Sequence, residues 1–293
     1  MIEAPVRLGV TLPQFTSDVG ALRGAAQRAE GAGLDSIWVF DHLWPLSGGK
    51  ERPVFESWTT LAHLAAWTER ISIGTLVTRA ALRNPQLLAH MAATVAAMAP
   101  GRLVVAVGSG DDRSRAENLA FGYPYQRARR RAQLATTVET LMGLAPTQRD
   151  PPEVWVGGRS PAVRELAGRF AQGWNGWGGG PEGLAADVAA VRAAAGGRRV
   201  ELSWGGIVVL GRDEAEAREL PGPRGGDEHI SGGPERVAEA LAARAATGVT
   251  HLIVTFPDAG TRPVYELLAH EVRPRLQRPL GGPGSEPAPS GPS

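Results

Sequence analysis

The feature that most constrains this chain is a regular alternation of short apolar runs with longer amphipathic stretches. Several of the runs are apolar at consecutive positions, which is typical of parallel strands that are covered on both faces. Eight runs are long enough to be strands, and the sixth, "GWNGWG", is the weakest. They cover residues 6–12, 35–40, 71–78, 103–109, 153–158, 173–178, 200–210 and 250–256.

The amphipathic stretches carry signals of helix starts. Four of them begin with a tolerated N-cap residue followed by proline, which loses no hydrogen bond at the first helical position. These dipeptides are Asn84-Pro85, Ser160-Pro161, Gly180-Pro181 and Gly233-Pro234. Strands and helices that alternate in this way form a parallel sheet with right-handed crossovers.

The number of strand–helix units favours a closed barrel. Eight units, with no linker composition before residue 280, predict an α/β protein with a single (β/α)8 TIM barrel over residues 1–279. No G-x-G-x-x-G follows the first run, which disfavours an open dinucleotide-binding sheet. Residues 280–293, "LGGPGSEPAPSGPS", are rich in Pro, Gly and Ser and are predicted to be a disordered tail.

Composition excludes several classes of function. The formal net charge is only +1, which gives no support for nucleic acid or an anionic membrane as a partner. No apolar run reaches the roughly 20 residues that a membrane helix needs. The absence of cysteine excludes thiolate chemistry, and Lys50 is the only lysine, so a Schiff base at any other position is excluded. We expect a cytoplasmic protein that acts on a small-molecule substrate.

Polar residues that follow the strands are the candidates for chemistry, because the active site of such a barrel lies at the carboxyl ends of its strands. In "WVFDHLWP" the second run stops at Asp41 and His42, with Trp44 just behind. Histidine titrates near neutrality, and a neighbouring carboxylate can fix its tautomer. The pair is therefore the acid–base candidate. The alternative is a histidine whose ring is satisfied by backbone groups at a strand edge.

The fifth run ends in "VGGRSP", which suits a phosphate. Gly157 and Gly158 allow close approach to the backbone, and the following helix start offers free N–H groups. Arg159 adds a positive charge and Ser160 a hydroxyl. The alternative is an ordinary tight turn between a strand and a helix.

Other strand ends and motifs give weaker signals. The fourth run ends in "GSGDD" from Gly108, whose spacing alone favours a solvated loop in which an aspartate caps a helix. No H-x-H follows the first run, and neither H-E-x-x-H nor G-x-S-x-G occurs. A metal-dependent hydrolase and a serine nucleophile are therefore disfavoured, and no metal site is predicted.

Taken together, several motifs resemble the bacterial luciferase-like family of flavin- and deazaflavin-dependent oxidoreductases. They occur in the family's order and span roughly residues 6 to 275. The matching segments are "GAGLDSIWVFDHLWP", "ERISIGTLVTRAALRNPQLLAHMAATV", "GRLVVAVGSGD", "VWVGGRSPAVRELAGRFAQGWNGW" and "GVTHLIVTF". The Asp-His pair followed by an aromatic residue and proline looks most like the branch that uses coenzyme F420, a 5-deazaflavin.

The resemblance implies catalytic roles for three residues. Asp41 and His42 would lie beside the reactive ring carbon, with His42 as the base. Asp111 corresponds to a carboxylate that the sugar-phosphate dehydrogenases of the branch use as an acid. Trp44 would line the substrate side, and Trp177 and His229 are expected in the pocket wall, His229 from a glycine-rich loop.

The resemblance also implies how the coenzyme is held. A non-prolyl cis peptide behind the ring would fall at Leu76–Val77, and the tail phosphate would lie on Gly157 and Gly158. The expected coenzyme-binding residues are Asp41, Leu76, Val77, Thr78, Gly108, Ser109, Gly157, Gly158, Arg159 and Ser160.

One departure from the family bears on the substrate. The sugar-phosphate dehydrogenases hold the substrate phosphate with lysines, whereas this chain has none after Lys50, and arginine differs from lysine in geometry. A sugar phosphate is therefore not expected. Two alternatives stay open: an FMN-dependent monooxygenase with a separate reductase, and a non-catalytic protein that binds a flavin or deazaflavin. Members of the family often form dimers, so the resemblance allows a homodimer.

Overall fold

The computed structural model describes residues 5–45, 49–112, 114–144, 149–222 and 229–276. Within these residues nine strands form one sheet in which every pairing is parallel. The strands are β1 Arg7–Thr11, β2 Ser36–Val39, β3 Ser72–Arg79, β4 Leu103–Gly108, β5 Glu153–Gly157, β6 Gly173–Trp177, β7 Glu201–Leu210, β8 His229–Gly232 and β9 His251–Thr255.

Eight of these strands close into a barrel. Strands β1 to β7 pair in chain order, β7 pairs with β9, and β9 returns to β1. All eight coincide with the predicted runs, so the predicted (β/α)8 fold is confirmed. Strand β8 was not predicted, and it pairs with the outer end of β7, from Ile207 opposite His229 to Leu210 opposite Gly232.

Helices connect the strands on the outside of the barrel. All four predicted Pro-containing helix starts are confirmed. No helix in the described parts of the chain is long and apolar enough to cross a bilayer, and the predicted tail, 280–293, lies outside the described residues. The helices are α1 Val19–Gly31, α2 Ser57–Trp67, α3 Pro85–Met98, α4 Arg115–Ala120, α5 Arg127–Met142, α6 Pro161–Phe170, α7 Pro181–Ala195, α8 Glu214–Glu219, α9 Pro234–Ala245, α10 Val264–Leu267 and α11 Arg273–Leu276, with a 3₁₀ turn at Ala80–Leu82 and a π-helical turn at Leu268–Val272.

Tryptophan and glycine are paired across neighbouring barrel strands. In three register pairs an indole lies over the glycine opposite it, and a Cβ atom on that glycine would come within 3 Å of the indole. Such contact distances are shorter than van der Waals packing allows. The pairs are Trp38–Gly74, Trp155–Gly173 and Trp177–Gly205.

A histidine is fully buried inside the barrel, near the amino ends of the strands. Nε2 of His251 lies 2.7 Å from Oγ of Ser36, and that oxygen already accepts a hydrogen bond from Nε1 of Trp38 at 2.7 Å. Nε2 of His251 and Oγ of Ser36 share one hydrogen bond, and Nδ1 of His251 has no partner among the described residues. Burial, and secondarily the charge of Arg7, lowers the pKa of His251 well below its ordinary value.

This histidine predicts a loss of stability in mild acid. Because the unfolded chain protonates His251 near pH 6.5 while the folded chain resists it, the free energy of unfolding should fall below that pH, by up to about 1.4 kcal/mol per pH unit. Urea unfolding of wild type and His251→Gln between pH 6.5 and 5 measures this slope. The variant should lose it, and His63→Ala, a change at an exposed histidine, should keep it. Equal slopes in wild type and His251→Gln would contradict the assignment.

Candidate functional site

An aromatic layer covers the carboxyl ends of the barrel strands. Phe40 follows β2 and Trp177 ends β6, on opposite sides of the ring of strands, yet the centroids of their rings are 5.7 Å apart in edge-to-face contact. Phe15, which follows β1, stacks on Phe40 at 6.2 Å. Trp177 stays 40% exposed, so part of its ring is open to a ligand. Its expected place at the barrel mouth is where the structure has it, and its role in a substrate pocket stays a prediction.

His42 stands at this mouth, held by a carboxylate from far along the chain. Its Nδ1 lies 3.2 Å from Oε2 of Glu117, which is on the short helix α4. The His42 side chain is 23% exposed and that of Glu117 only 6%. The imidazole is therefore anchored through Nδ1, and part of the side chain stays accessible.

The Glu117 carboxylate organises the whole segment after β2. Oε1 accepts hydrogen bonds from the backbone N–H groups of Leu43 and of Trp44, the latter at 3.1 Å. Oε2 also accepts from Nη1 of Arg79 at 2.9 Å. Burial alone would raise the pKa of Glu117, but the hydrogen bonds from His42 and Leu43 and the charge of Arg79 outweigh it and lower the pKa to about 2.

The state of Glu117 fixes the tautomer of His42. With a pKa of about 2 the carboxyl group is ionised at every working pH and can only accept hydrogen bonds. Nδ1 of His42 must therefore carry a hydrogen. In the neutral ring Nε2 is left as the acceptor, and with no partner among the described residues it is the nitrogen that can exchange a proton with a substrate.

Asp41 has a different set of partners, so the carboxylate that holds the His42 ring is that of Glu117 and not that of its sequence neighbour. Its buried carboxylate receives two hydrogen bonds from Arg83, at 2.7 and 2.9 Å. It also accepts from the hydroxyl of Ser57 at 2.7 Å and from the backbone N–H of Arg79 at 2.8 Å. Successive residues at the end of an extended strand point to opposite sides, which separates the two side chains. Asp41 fixes the strand end, and its predicted roles toward a coenzyme and in catalysis remain predictions.

A bulge in β3 lies beside β2, the strand that precedes His42. The pairing with β4 shifts between Thr75 and Thr78, so β3 holds one residue more than its neighbour. The peptide between Leu76 and Val77 is cis, as the resemblance implied. The hydroxyl of Thr78 is buried between Thr75 Oγ1, at 2.7 Å, and Nε1 of Trp58, at 3.2 Å, so that hydroxyl is already engaged.

Two of the predicted glycines make room for the bulge. A Cβ atom on Gly108 or on Gly157 would lie 2.5 Å from a methyl group of Val77. Their lack of a side chain is thus explained by packing against Val77. The sequence had suggested a different reason, close approach of a coenzyme to the backbone of both glycines, and that role stays a prediction.

In the turn from β5 to α6, some of the groups predicted to bind a phosphate are available and others are already bonded within the protein. Gly158 adopts a φ of 131°, and its backbone N–H already donates to the carbonyl of Asn175. Ser160 starts α6 without using its hydroxyl as a cap. Arg159 pairs with Asp187 of α7. The Ser160 hydroxyl and the free end of α6 are the groups best suited to an anion here.

The loop after β4 holds the helix-capping aspartate that its spacing alone favoured. Oδ1 of Asp111 accepts hydrogen bonds from the backbone N–H and the hydroxyl of Ser114, at 2.9 and 2.8 Å. It thus caps the turn into α4, and its role as a proton donor stays a prediction. Ser109 lies beside it, and its carbonyl accepts a hydrogen bond from Arg130 at 3.3 Å.

Two predicted pocket residues lie on separate elements. The ring of Trp44 meets that of Phe121 with centroids 5.9 Å apart, and Nζ of Lys50 lies 4.2 Å from the centroid of the Trp44 ring. His229 is on strand β8 and not in a loop. Its Nδ1 is buried without a partner among the described residues.

Sequence reasoning missed the residues that hold His42 and Asp41 in place. Glu117, Arg79 and Arg83 all lie beyond the predicted strand ends, and Glu117 is 75 positions from His42. One signal was available: two arginines four apart in "TRAALR" directly follow a strand, and arginines so close to a core need carboxylate partners.

Known proteins resemble this chain over most of its length. The sequence profile of the family described as luciferase-like monooxygenase matches residues 2–221. A solved structure, the coenzyme F420-dependent tetrahydromethanopterin reductase from Methanopyrus kandleri, superposes with a TM-score of 0.75 at 18% identity, over 94% of this chain and 100% of that one. At that identity the likeness shows the shared fold.

Two curated relatives have the same level of identity but different names. The chain is 30% identical over 197 residues to an F420-dependent glucose-6-phosphate dehydrogenase of Nakamurella multipartita, over 59% of this chain and 57% of that protein. It is 30% identical over 240 residues to an F420-dependent hydroxymycolic acid dehydrogenase of Mycobacterium tuberculosis, over 72% of this chain and 65% of that protein. The chain thus aligns with less than two thirds of either relative. Because the family profile covers most of its residues and its barrel is the expected one, the chain belongs to the luciferase-like monooxygenase family.

Proposed function

We propose that this protein is an oxidoreductase that uses the deazaflavin coenzyme F420 to transfer a hydride to or from a small organic substrate. The observation that carries the proposal is the exposed side of the His42 imidazole, whose other side is held by an ionised carboxylate. Hydride transfer to a carbonyl or from an alcohol needs such a proton-handling group. The names of both curated relatives support F420 as the coenzyme.

The residues at the barrel mouth fit a planar coenzyme with an anionic tail. Val77 on the bulge and the open part of Trp177 offer apolar surfaces to the ring. We assign the ring to Leu76, Val77, Thr78, Gly108 and Ser109. The phosphate of the tail is assigned to the turn Gly157–Ser160, where the ten-residue helix α6 begins. When bound, F420 supplies the ring carbon that accepts or donates the hydride, and the protein supplies binding, orientation and proton transfer.

His42 exchanges the proton that accompanies the hydride. When an alcohol is oxidised, its C–H bond gives up the hydride, and Nε2 of His42 accepts the O–H proton. When a carbonyl is reduced, the protonated ring returns a proton from Nε2 to the oxygen. Asp111 is proposed as a second proton donor, and Trp44 and His229 as parts of the pocket wall. A homodimer and a cytoplasmic location stay predictions.

A coenzyme titration tests the proposal against the second candidate, an FMN-dependent monooxygenase, which the family's description supports. We expect oxidised F420 to bind with a Kd at least about tenfold lower than that of FMN, a difference of about 1.4 kcal/mol, because both relatives are named for F420. Absorbance titration of the same protein sample with each coenzyme measures both values.

The other outcomes of this titration are equally informative. Tight binding of FMN without binding of F420 would favour the monooxygenase and contradict the proposal. Tight binding of F420 without turnover of any alcohol, aldehyde or alkene would favour a non-catalytic binding protein.

A further inference from the structure

We infer that the substrate is an uncharged alcohol or carbonyl compound with an alkyl or aryl chain, and that the chain binds against an aromatic pair formed by Trp44 and Phe121. The inference rests on the proposed function and names the class of substrate for the same site. It depends on three features: the position of the aromatic pair, its exposure, and the state of the nearby cations.

The aromatic pair is fixed relative to His42. The backbone N–H of Trp44 and the ring of His42 bind the same Glu117 carboxylate. Helix α4 carries that glutamate, and Phe121, at the helix end, places its ring 5.9 Å from the ring of Trp44 at an angle of 60°. Helix α4 and the residue at its end thus contact both the His42 imidazole and the Trp44 ring.

The aromatic pair leaves apolar surface uncovered. Phe121 is 48% exposed and Leu119 of the same helix 50% exposed, although large apolar side chains gain about 25 cal/mol for each Å² removed from water. An apolar chain that reaches His42 would cover this surface. A sugar phosphate, which is polar on all sides, would leave it exposed to water.

Two of the cations near His42, Arg79 and Arg83, are already matched by carboxylates. Arg79 pairs with Glu117 and Arg83 with Asp41, so their charges are balanced inside the protein. Lys50 lies over the ring of Trp44, and a phosphate would have to draw it away. The balanced charges of Arg79 and Arg83 favour a neutral substrate over a phosphorylated one.

A homologous series of methyl ketones, from 2-butanone to 2-decanone, tests the inference by calorimetric binding to the wild-type protein. We expect the Kd to fall by about fourfold for each added CH2, the equivalent of about 0.8 kcal/mol. Phe121→Ala and Trp44→Ala should reduce this factor to less than about twofold. Phe170→Ala removes an aromatic side chain of matched exposure, 49%, at the far end of α6, and should behave as the wild type.

Glucose 6-phosphate, measured in the same way, should bind at least about tenfold more weakly than 2-decanone. A Kd that does not change with ketone length, an unaltered series in both aromatic variants, or tighter binding of the sugar phosphate would overturn the inference. Because ketone binding is measured without coenzyme, the two proposals fail separately. Ketone selectivity without F420 binding would refute the proposed function alone, and F420 binding with a flat ketone series would refute the substrate class alone.

Discussion

Replacing His42 by alanine is expected to lower kcat by a factor of about 10² to 10⁴ and to change the Kd for F420 by less than about threefold. General acid–base catalysis by one positioned side chain contributes a factor of this size, and the ring surfaces assigned to the coenzyme do not include the imidazole. Steady-state reduction of 2-decanone, followed by the coenzyme absorbance, gives kcat, and titration gives the Kd. His63→Ala, which removes an exposed histidine whose ring lies 5.3 Å from that of Trp67 of helix α2, is the matched control.

The same assay separates positioning from direct catalysis at Glu117. If the carboxylate acts by holding Nδ1 of His42, then Glu117→Gln should lower kcat in the wild-type background and have little further effect on kcat in the His42→Ala background. Residues that work as a unit show such non-additive losses. Fully additive losses would mean that Glu117 affects turnover by another route. An equal loss of coenzyme affinity and kcat in His42→Ala would contradict the catalytic role of the histidine.

Replacing Arg83 by alanine is expected to lower the free energy of unfolding by about 3 to 5 kcal/mol. Arg83 makes two hydrogen bonds to Asp41, which is only 2% exposed. Removal of one partner of a buried ion pair leaves the other charge without compensation, and this costs far more than the loss of the contact itself. Arg83 also contacts Glu56, the N-cap of α2, at 2.5 Å, so the start of that helix should loosen as well.

Urea unfolding at pH 7 measures the effect, with Arg169→Ala as the control. Arg169 forms an ion pair with Glu165 one helical turn away, and both side chains are more than half exposed. Exposed pairs of this kind contribute about 0.3 to 0.5 kcal/mol. A loss below about 1 kcal/mol in Arg83→Ala would mean that Asp41 finds another partner or is hydrated in the folded protein.

Local pattern was sufficient to predict the barrel. Most of the closed strands are marked by short apolar runs, and even the weak segment "GWNGWG" forms β6, in which Gly173 lies under the indole of Trp155 on the neighbouring strand β5. Strand β8 was missed for the opposite reason. Its four residues, "HISG", follow a polar, glycine-rich segment and pair only with the end of β7, so no long apolar run marks them.

The candidate site was predictable only in part. The position of His42 at a strand end follows from the order of elements along the chain. Its partner does not, because a contact between residues 75 positions apart depends on where the fold places helix α4. Sequence adjacency suggested Asp41 as the partner, whereas the alternation of side chains at a strand end directs Asp41 toward Arg83.

The tryptophan–glycine pairs inside the barrel have a consequence for variation of this protein. In each pair a Cβ atom on the glycine would come within 3 Å of the indole, so the glycine does not tolerate a larger residue while the tryptophan is kept. Trp155 and Gly173, for example, should therefore be replaced together. A smaller residue at the tryptophan position would be combined with a larger residue at the glycine position, so that the total volume stays the same. Libraries that diversify the barrel should treat each pair as a single variable, and related sequences should show reciprocal size changes at the two positions.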